Sequence, residues 1–160
     1  WETCDKEGEN MLVEGMIGAL ISAIGFAMML DTPKKYLPHV GLVGIIGGAI
    51  YLLSVQISLG NVAASFLSAF SVSLVSQILA RGVKTPVTIF LIAGIFPTVP
   101  GAGMYRIVHY VIAGDNSMAS YYFFETLKVA GVIALGIFFA DAIFRIFTKK
   151  KSIFQRRELT

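Results

Sequence analysis

The interrupted apolar run IAGIFPTVPGAGMYRIVHYVI, residues 92–112, decides the fold of this chain. It is long enough for a membrane helix, yet prolines and glycines break it at Pro97–Gly101, and Arg106 follows. Each proline lacks an amide hydrogen and clashes with the carbonyl one turn earlier, so a continuous helix cannot form here. Non-helical backbone is tolerated at membrane depth only where it is buried in protein or lines water. Either the run lies outside the membrane, or it is the place where a membrane protein works.

The composition favours a membrane protein. The 160 residues are 56% hydrophobic and 14% charged, whereas soluble domains carry about 25% charged residues. The mean hydropathy is +0.75. Basic residues lie at the ends of apolar runs, which is typical of membrane flanks and not of nucleic acid binding. The acidic first ten residues have no basic start and no small-residue cleavage pattern, which argues against a cleaved signal peptide.

The apolar runs predict an all-α integral membrane protein with five transmembrane helices, the fourth broken at Pro97–Gly101. A helix needs about 20 apolar residues to cross the hydrocarbon. The predicted spans are residues 11–30, 38–55, 59–80, 86–113 and 121–147. The predicted domains are a polar extracytoplasmic leader (1–10), a single membrane domain (11–147) and a basic cytoplasmic tail (148–160).

The distribution of lysine and arginine predicts the orientation. Under the five-span topology ten basic residues fall on one side of the membrane, and only Lys6 and Lys128 lie on the other. Because cytoplasmic loops carry the excess of positive charge, we expect the N-terminus outside and the C-terminus in the cytoplasm of a cell-membrane protein. The ten are Lys34, Lys35, Arg81, Lys84, Arg145, Lys149, Lys150, Lys151, Arg156 and Arg157.

Small and polar residues recur at helical spacing in the first three spans. Gly44 and Gly48 form a GxxxG pair, and residues 15, 18, 22 and 25 are small and share one face of the first span. Such faces indicate close helix packing, with a glycine-lined cavity wall as the alternative. In the third span Asn61, Ser65 and Ser68 fall within a narrow arc. That stripe either lines a polar path or packs against neighbours while bonding to carbonyls of its own helix.

Two pairs of charged residues near the ends of the fifth span have a structural interpretation. Glu125 and Lys128 are spaced i,i+3, and Asp141 and Arg145 are spaced i,i+4. Residues at these spacings are neighbours on a helix surface. We interpret them as interface anchors or local ion pairs.

The break predicts a binding site for an anion or a zwitterion. A half-helix starting near Gly101 exposes amide hydrogens and the positive end of its dipole, which transporters use to bind carboxylates. Arg106, Tyr105 and His109 cluster just beyond it. The alternative is an ordinary proline kink, with Arg106 pairing with Asp115 or extending to the interface. The predicted substrate-binding residues are Asn61, Ser65, Ser68, Pro97, Pro100, Gly101, Gly103, Tyr105, Arg106 and His109. No metal or cofactor is predicted.

Two segments resemble the threonine/serine exporter family. They are GFAMMLDTPKKYL (25–37) and LARGVKTPVTIFLIAGIFPTVPGAGMYR (79–106). The resemblance covers about residues 15–147, is to the smaller second module, and is most specific at the Pro-x-x-Pro-Gly break followed by Tyr-Arg. It implies export of small amino acids or a dicarboxylate, coupled to the proton gradient. It also implies a companion five-span module, which would make the two halves inverted repeats.

These residues are compatible with two functions and disfavour a third. In the first, the chain is a half-module of a secondary exporter, with Arg106 as carboxylate clamp and His109 as a proton-sensitive group. Its partner is then a companion module on a separate chain, or a second copy in a homo-oligomer. In the second, the chain is a non-transporting scaffold subunit whose partner holds the path. An intramembrane enzyme is disfavoured, because the sequence has no HExxH pair, no GxSxG elbow and no facing catalytic carboxylates.

Overall fold

Six α-helices joined by short turns form the protein in this computed structural model, which describes the backbone of residues 2–157 and the side chains of residues 13–146. The helices are α1 (Glu2–Met29), α2 (Leu37–Gln56), α3 (Gly60–Val83), α4 (Val87–Ile95), α5 (Gly101–Ile112) and α6 (Asn116–Arg157). Short 3-10 turns, Lys34–Tyr36 and Phe96–Thr98, precede α2 and follow α4. The side chains of the predicted leader and tail lie outside the described residues.

The prediction of an all-helical fold is confirmed for the described backbone, but five spans are not. Three helical segments are long and apolar enough to cross a bilayer: Lys34–Gln56, Gly60–Val83 and Asn116–Ile146. The pair Val87–Thr98 and Gly101–Ile112 makes a fourth if it is counted as one span, bent by 53° at the predicted break. The first predicted span has only a shorter apolar helix, Val13–Met29, within the described side chains. A fifth span therefore stays a prediction.

Small residues let the first four helices approach closely. A Cβ atom added at Gly44 would lie 2.5 Å from the Ala23 Cβ, and one at Gly48 would lie 2.6 Å from the Ala19 Cβ. The predicted GxxxG pair is therefore the face on which α2 packs against α1. By contrast, a Cβ at Gly18 would meet nothing within 4 Å, so only part of the small face of α1 is used for packing.

The serine stripe of α3 serves two purposes along its length. The Ser65 hydroxyl donates to the Asn61 carbonyl at 2.7 Å, within the same helix. One turn later the buried Ser68 hydroxyl donates to the Gly47 carbonyl of α2 at 2.8 Å. The second bond ties two helices together, so at Ser68 the stripe packs helices instead of lining a path.

The final helix is longer than the predicted fifth span at both ends. The predicted fifth span begins at residue 121, but α6 already begins at Asn116 and includes the polar residues in between. The Asp115 carboxylate accepts the Met118 amide at 3.1 Å and so caps the first turn. At the other end the helical backbone continues through the predicted tail to Arg157.

Candidate functional site

The break between α4 and α5 is a defined turn, held by its own hydrogen bonds. The Val99 amide donates to the Phe96 carbonyl at 3.3 Å, which replaces the helical partner that Pro100 cannot supply. The Thr98 hydroxyl donates to the Ile95 carbonyl at 2.8 Å. The Phe96 ring stacks on Phe26 of α1 with centroids 4.0 Å apart. The break is therefore fixed to the first helix as well as to α4.

The first turn of α5 presents unpaired amides. The Gly101 amide donates to the Val99 carbonyl at 2.7 Å, and the Met104 amide donates to the Pro100 carbonyl at 3.2 Å. Between them, the amides of Ala102 and Gly103 have no backbone or side-chain acceptor within the described part of the chain. With the positive end of the helix dipole, such amides favour an anion.

The packing of α5 is one-sided. Among the helices that the structure describes, it contacts only α6, and none of its residues is buried. The contact depends on Gly103, because an added Cβ there would overlap the Thr126 hydroxyl of α6. A Cβ at Gly101 would meet nothing within 4 Å. Gly103 therefore allows the close approach, and Gly101 does not contribute to it.

A cavity of about 330 Å³ lies at the break, between the start of α3, the first turn of α5 and the N-terminal third of α6. Its volume falls at the lower end of the range for small-molecule sites. It brings together seven of the ten predicted binding residues. These are Asn61, Ser65, Pro97, Pro100, Gly101, Gly103 and Arg106.

The other three predicted residues lie elsewhere. Ser68 is fully buried in the contact between α2 and α3. Tyr105 is 71% exposed on the outer face of α5, and its ring stacks on His109 with centroids 6.1 Å apart. Neither Tyr105 nor His109 lines the cavity of this single chain.

Arg106 lies against an aromatic ring and makes no ion pair with any described residue. Its guanidinium carbon is 5.3 Å from the centre of the Tyr122 ring on α6, a cation–π contact. Within residues 13–146 no carboxylate comes within ion-pair distance of it. The alternative partner, Asp115, instead caps α6. The Arg106 guanidinium thus lines the cavity without an ion-pair partner among the described side chains.

Glu125, Tyr122 and Thr126 line the same cavity from α6, and the sequence analysis missed them as site residues. Glu125 was interpreted as half of a local pair with Lys128, and that contact is present at 3.8 Å. The spacing 122, 125, 126, 129 places one face of α6 on the cavity. This periodicity was visible in the sequence, but the partner of that face was not.

A second cavity of about 290 Å³ lies on the other side of the break, against α1 and α2. Gly15, Gly18 and Ser22 line it, which supports the alternative of a glycine-lined wall for that part of α1. The two cavities share Tyr51, Pro97 and Thr98. The break is therefore the partition between them.

Comparison with known proteins points to one family. The family described as "Threonine/Serine exporter, ThrE" matches residues 15–143. A Corynebacterium glutamicum protein described as a threonine/serine exporter is 29% identical over 130 residues, which are 81% of this chain and 26% of that protein. The chain thus spans about a quarter of the length of that curated relative. No solved structure matches the chain.

Proposed function

This chain belongs to the threonine/serine exporter family, and from that membership we propose that it is a half-module of a secondary exporter that releases threonine and serine from the cell. The observation that carries the proposal is the cavity at the helix break, where an unneutralised arginine and the free amides of a helix start converge. The relative named as an exporter is about three times as long as this chain, so the activity of the complete transporter is part of the proposal.

The substrate carboxylate binds at the first turn of α5. The amides of Ala102 and Gly103 donate to it, and the Arg106 guanidinium supplies the opposite charge. Pro97 and Pro100 keep this turn open, because a continuous helix would consume the same amides in its own hydrogen bonds. Asn61 and Ser65 complete the polar wall from α3.

A companion module of the same family covers the outer face of α5. Tyr105 and His109 are both exposed there in this chain, and polar side chains at membrane depth lie against protein or water and not lipid. Outside the matched segment the curated relative contains a little more than two further chain lengths of polypeptide, which is room for such a module. Under this proposal Tyr105 and His109 contact substrate only in the joint cavity.

The covering module can be tested with a photoreactive phenylalanine analogue at Tyr105. We expect it to crosslink a family polypeptide distinct from this chain in native membranes, since that module lies on the polar face. The matched control is the same analogue at Phe138, an aromatic position that is 67% exposed on α6 among other apolar side chains, where lipid is expected. Capture of a second copy of this chain would indicate a homo-oligomer, and equal capture of lipid at both positions would contradict the proposal.

Amino-acid release from the native host tests the function itself. Cells lacking the gene are loaded with serine or threonine dipeptides, and free amino acid in the medium is measured with and without the wild-type gene. We expect complementation to restore release and a protonophore to stop it, because the proposed driving force is the proton gradient. If deletion leaves release of both amino acids unchanged, the proposed substrate class is wrong.

A further inference from the structure

We propose that Glu125 binds the ammonium group of the substrate and so makes the cavity selective for zwitterionic amino acids over dicarboxylates. The inference rests on the proposed function, since it assigns a second charge in the same cavity. The sequence alone favoured a surface ion pair for this residue.

The cavity contains one cation and one anion that do not neutralise each other. Arg106 and Glu125 both line it, yet they form no ion pair. The guanidinium of Arg106 lies against the Tyr122 ring, and Tyr122 is one helical turn before Glu125. The two opposite charges thus line one cavity from neighbouring helices without forming an ion pair, which is the pattern that a zwitterion complements.

The contact of Glu125 with Lys128 leaves its carboxylate available. The distance is 3.8 Å, and the Lys128 side chain is 65% exposed. Exposed pairs of this kind contribute little, and Lys128 does not line the cavity. A carboxylate has acceptor sites on two oxygens, so Glu125 retains acceptors for an ammonium group.

Hydroxyl groups around the two charges suit serine and threonine. The hydroxyls of Ser65 and Thr98 already donate to backbone carbonyls, at 2.7 Å and 2.8 Å. Their oxygens therefore remain as acceptors for a substrate hydroxyl. A dicarboxylate would instead bring a second negative group toward Glu125, and like-charge contacts in a partly desolvated site are strongly unfavourable.

The test uses inside-out membrane vesicles from the native host, in which export appears as uptake of labelled serine. In wild type we expect succinate and 3-hydroxypropanoate, which is serine without its amino group, to compete at least tenfold less well than unlabelled serine. In Glu125→Gln the apparent KM for serine should rise at least tenfold, and succinate should become a competitor. Asp141→Asn is the matched control, because Asp141 pairs with Arg145 at 2.8 Å away from the cavity, and it should change neither value.

The outcomes separate this inference from the function beneath it. Absence of serine uptake in wild-type vesicles overturns both. Normal uptake with equal competition by 3-hydroxypropanoate overturns the role of Glu125 and needs no variant protein. If Glu125→Gln exports serine more slowly but discriminates against succinate as well as wild type does, Glu125 has a structural role and the proposal is overturned. In that case Glu125→Asp should show the same defect as Glu125→Gln. Under the proposal, Glu125→Asp keeps the negative charge and therefore keeps the discrimination against succinate.

Discussion

Arg106→Ala should lower release of serine and threonine at least tenfold while leaving the protein in the membrane at its normal abundance. The guanidinium is exposed to the cavity and has no carboxylate partner among the described residues, so its removal leaves no opposite charge unpaired. Loss of a charged hydrogen bond to the substrate costs about 1.5–3 kcal/mol, which is roughly a 10- to 150-fold weaker interaction. The measurement is the rate of release from dipeptide-loaded cells, normalised to the amount of protein in the membrane.

Two further variants make the result specific. Arg106→Lys keeps the charge but loses the planar fork that matches a carboxylate, so we expect partial activity. Arg145→Ala removes a cation that is bonded to Asp141 outside the cavity, and we expect normal release. Full release in Arg106→Ala would exclude the clamp, and loss of the folded protein would support the kink alternative, in which Arg106 has only a structural role.

The break could be predicted from sequence because its causes are local. Pro97 and Pro100 interrupt the helix because each lacks an amide hydrogen and clashes with the carbonyl one turn earlier. The next helix begins at Gly101, as expected. Seven predicted site residues share one cavity because five of them lie at or just after this break and the other two lie at the start of α3. The early start of α6 was also encoded locally, since Asp115 is a strong N-cap residue, but its polar neighbours resembled a loop.

The roles of Glu125 and Ser68 could not be predicted, because they depend on which helices pack against each other. Glu125 has a local partner, Lys128, so nothing in the sequence required a second role. Only the contact of α5 with α6 places Glu125 beside the break. Ser68 was predicted to line the site and does not. It lies on the predicted polar arc of α3, but its hydroxyl donates to the Gly47 carbonyl of α2. Amphipathic spacing identifies a polar face and does not tell what that face contacts.

Gly103→Ala should destabilise the protein, whereas Gly101→Ala, two residues earlier, should not. A methyl group at 103 overlaps the Thr126 hydroxyl, but one at 101 meets no atom within 4 Å. Overpacking of a close contact costs about 1–3 kcal/mol, and here it separates α5 from the only described helix that supports it. The measurement is thermal unfolding of the purified protein in detergent. Equal midpoints for the two variants would contradict the assigned contact.

The double variant Gly103→Ala/Thr126→Ala identifies the atoms responsible. Thr126→Ala removes the hydroxyl that the new methyl group would strike, so the two changes should not add. We expect the double variant to unfold at a higher temperature than Gly103→Ala alone, as required when residues in direct contact are coupled. Because Thr126 also lines the cavity, release of amino acids need not recover with stability. Recovery of stability without recovery of export would separate the packing of α5 on α6 from the contribution of Thr126 to substrate binding.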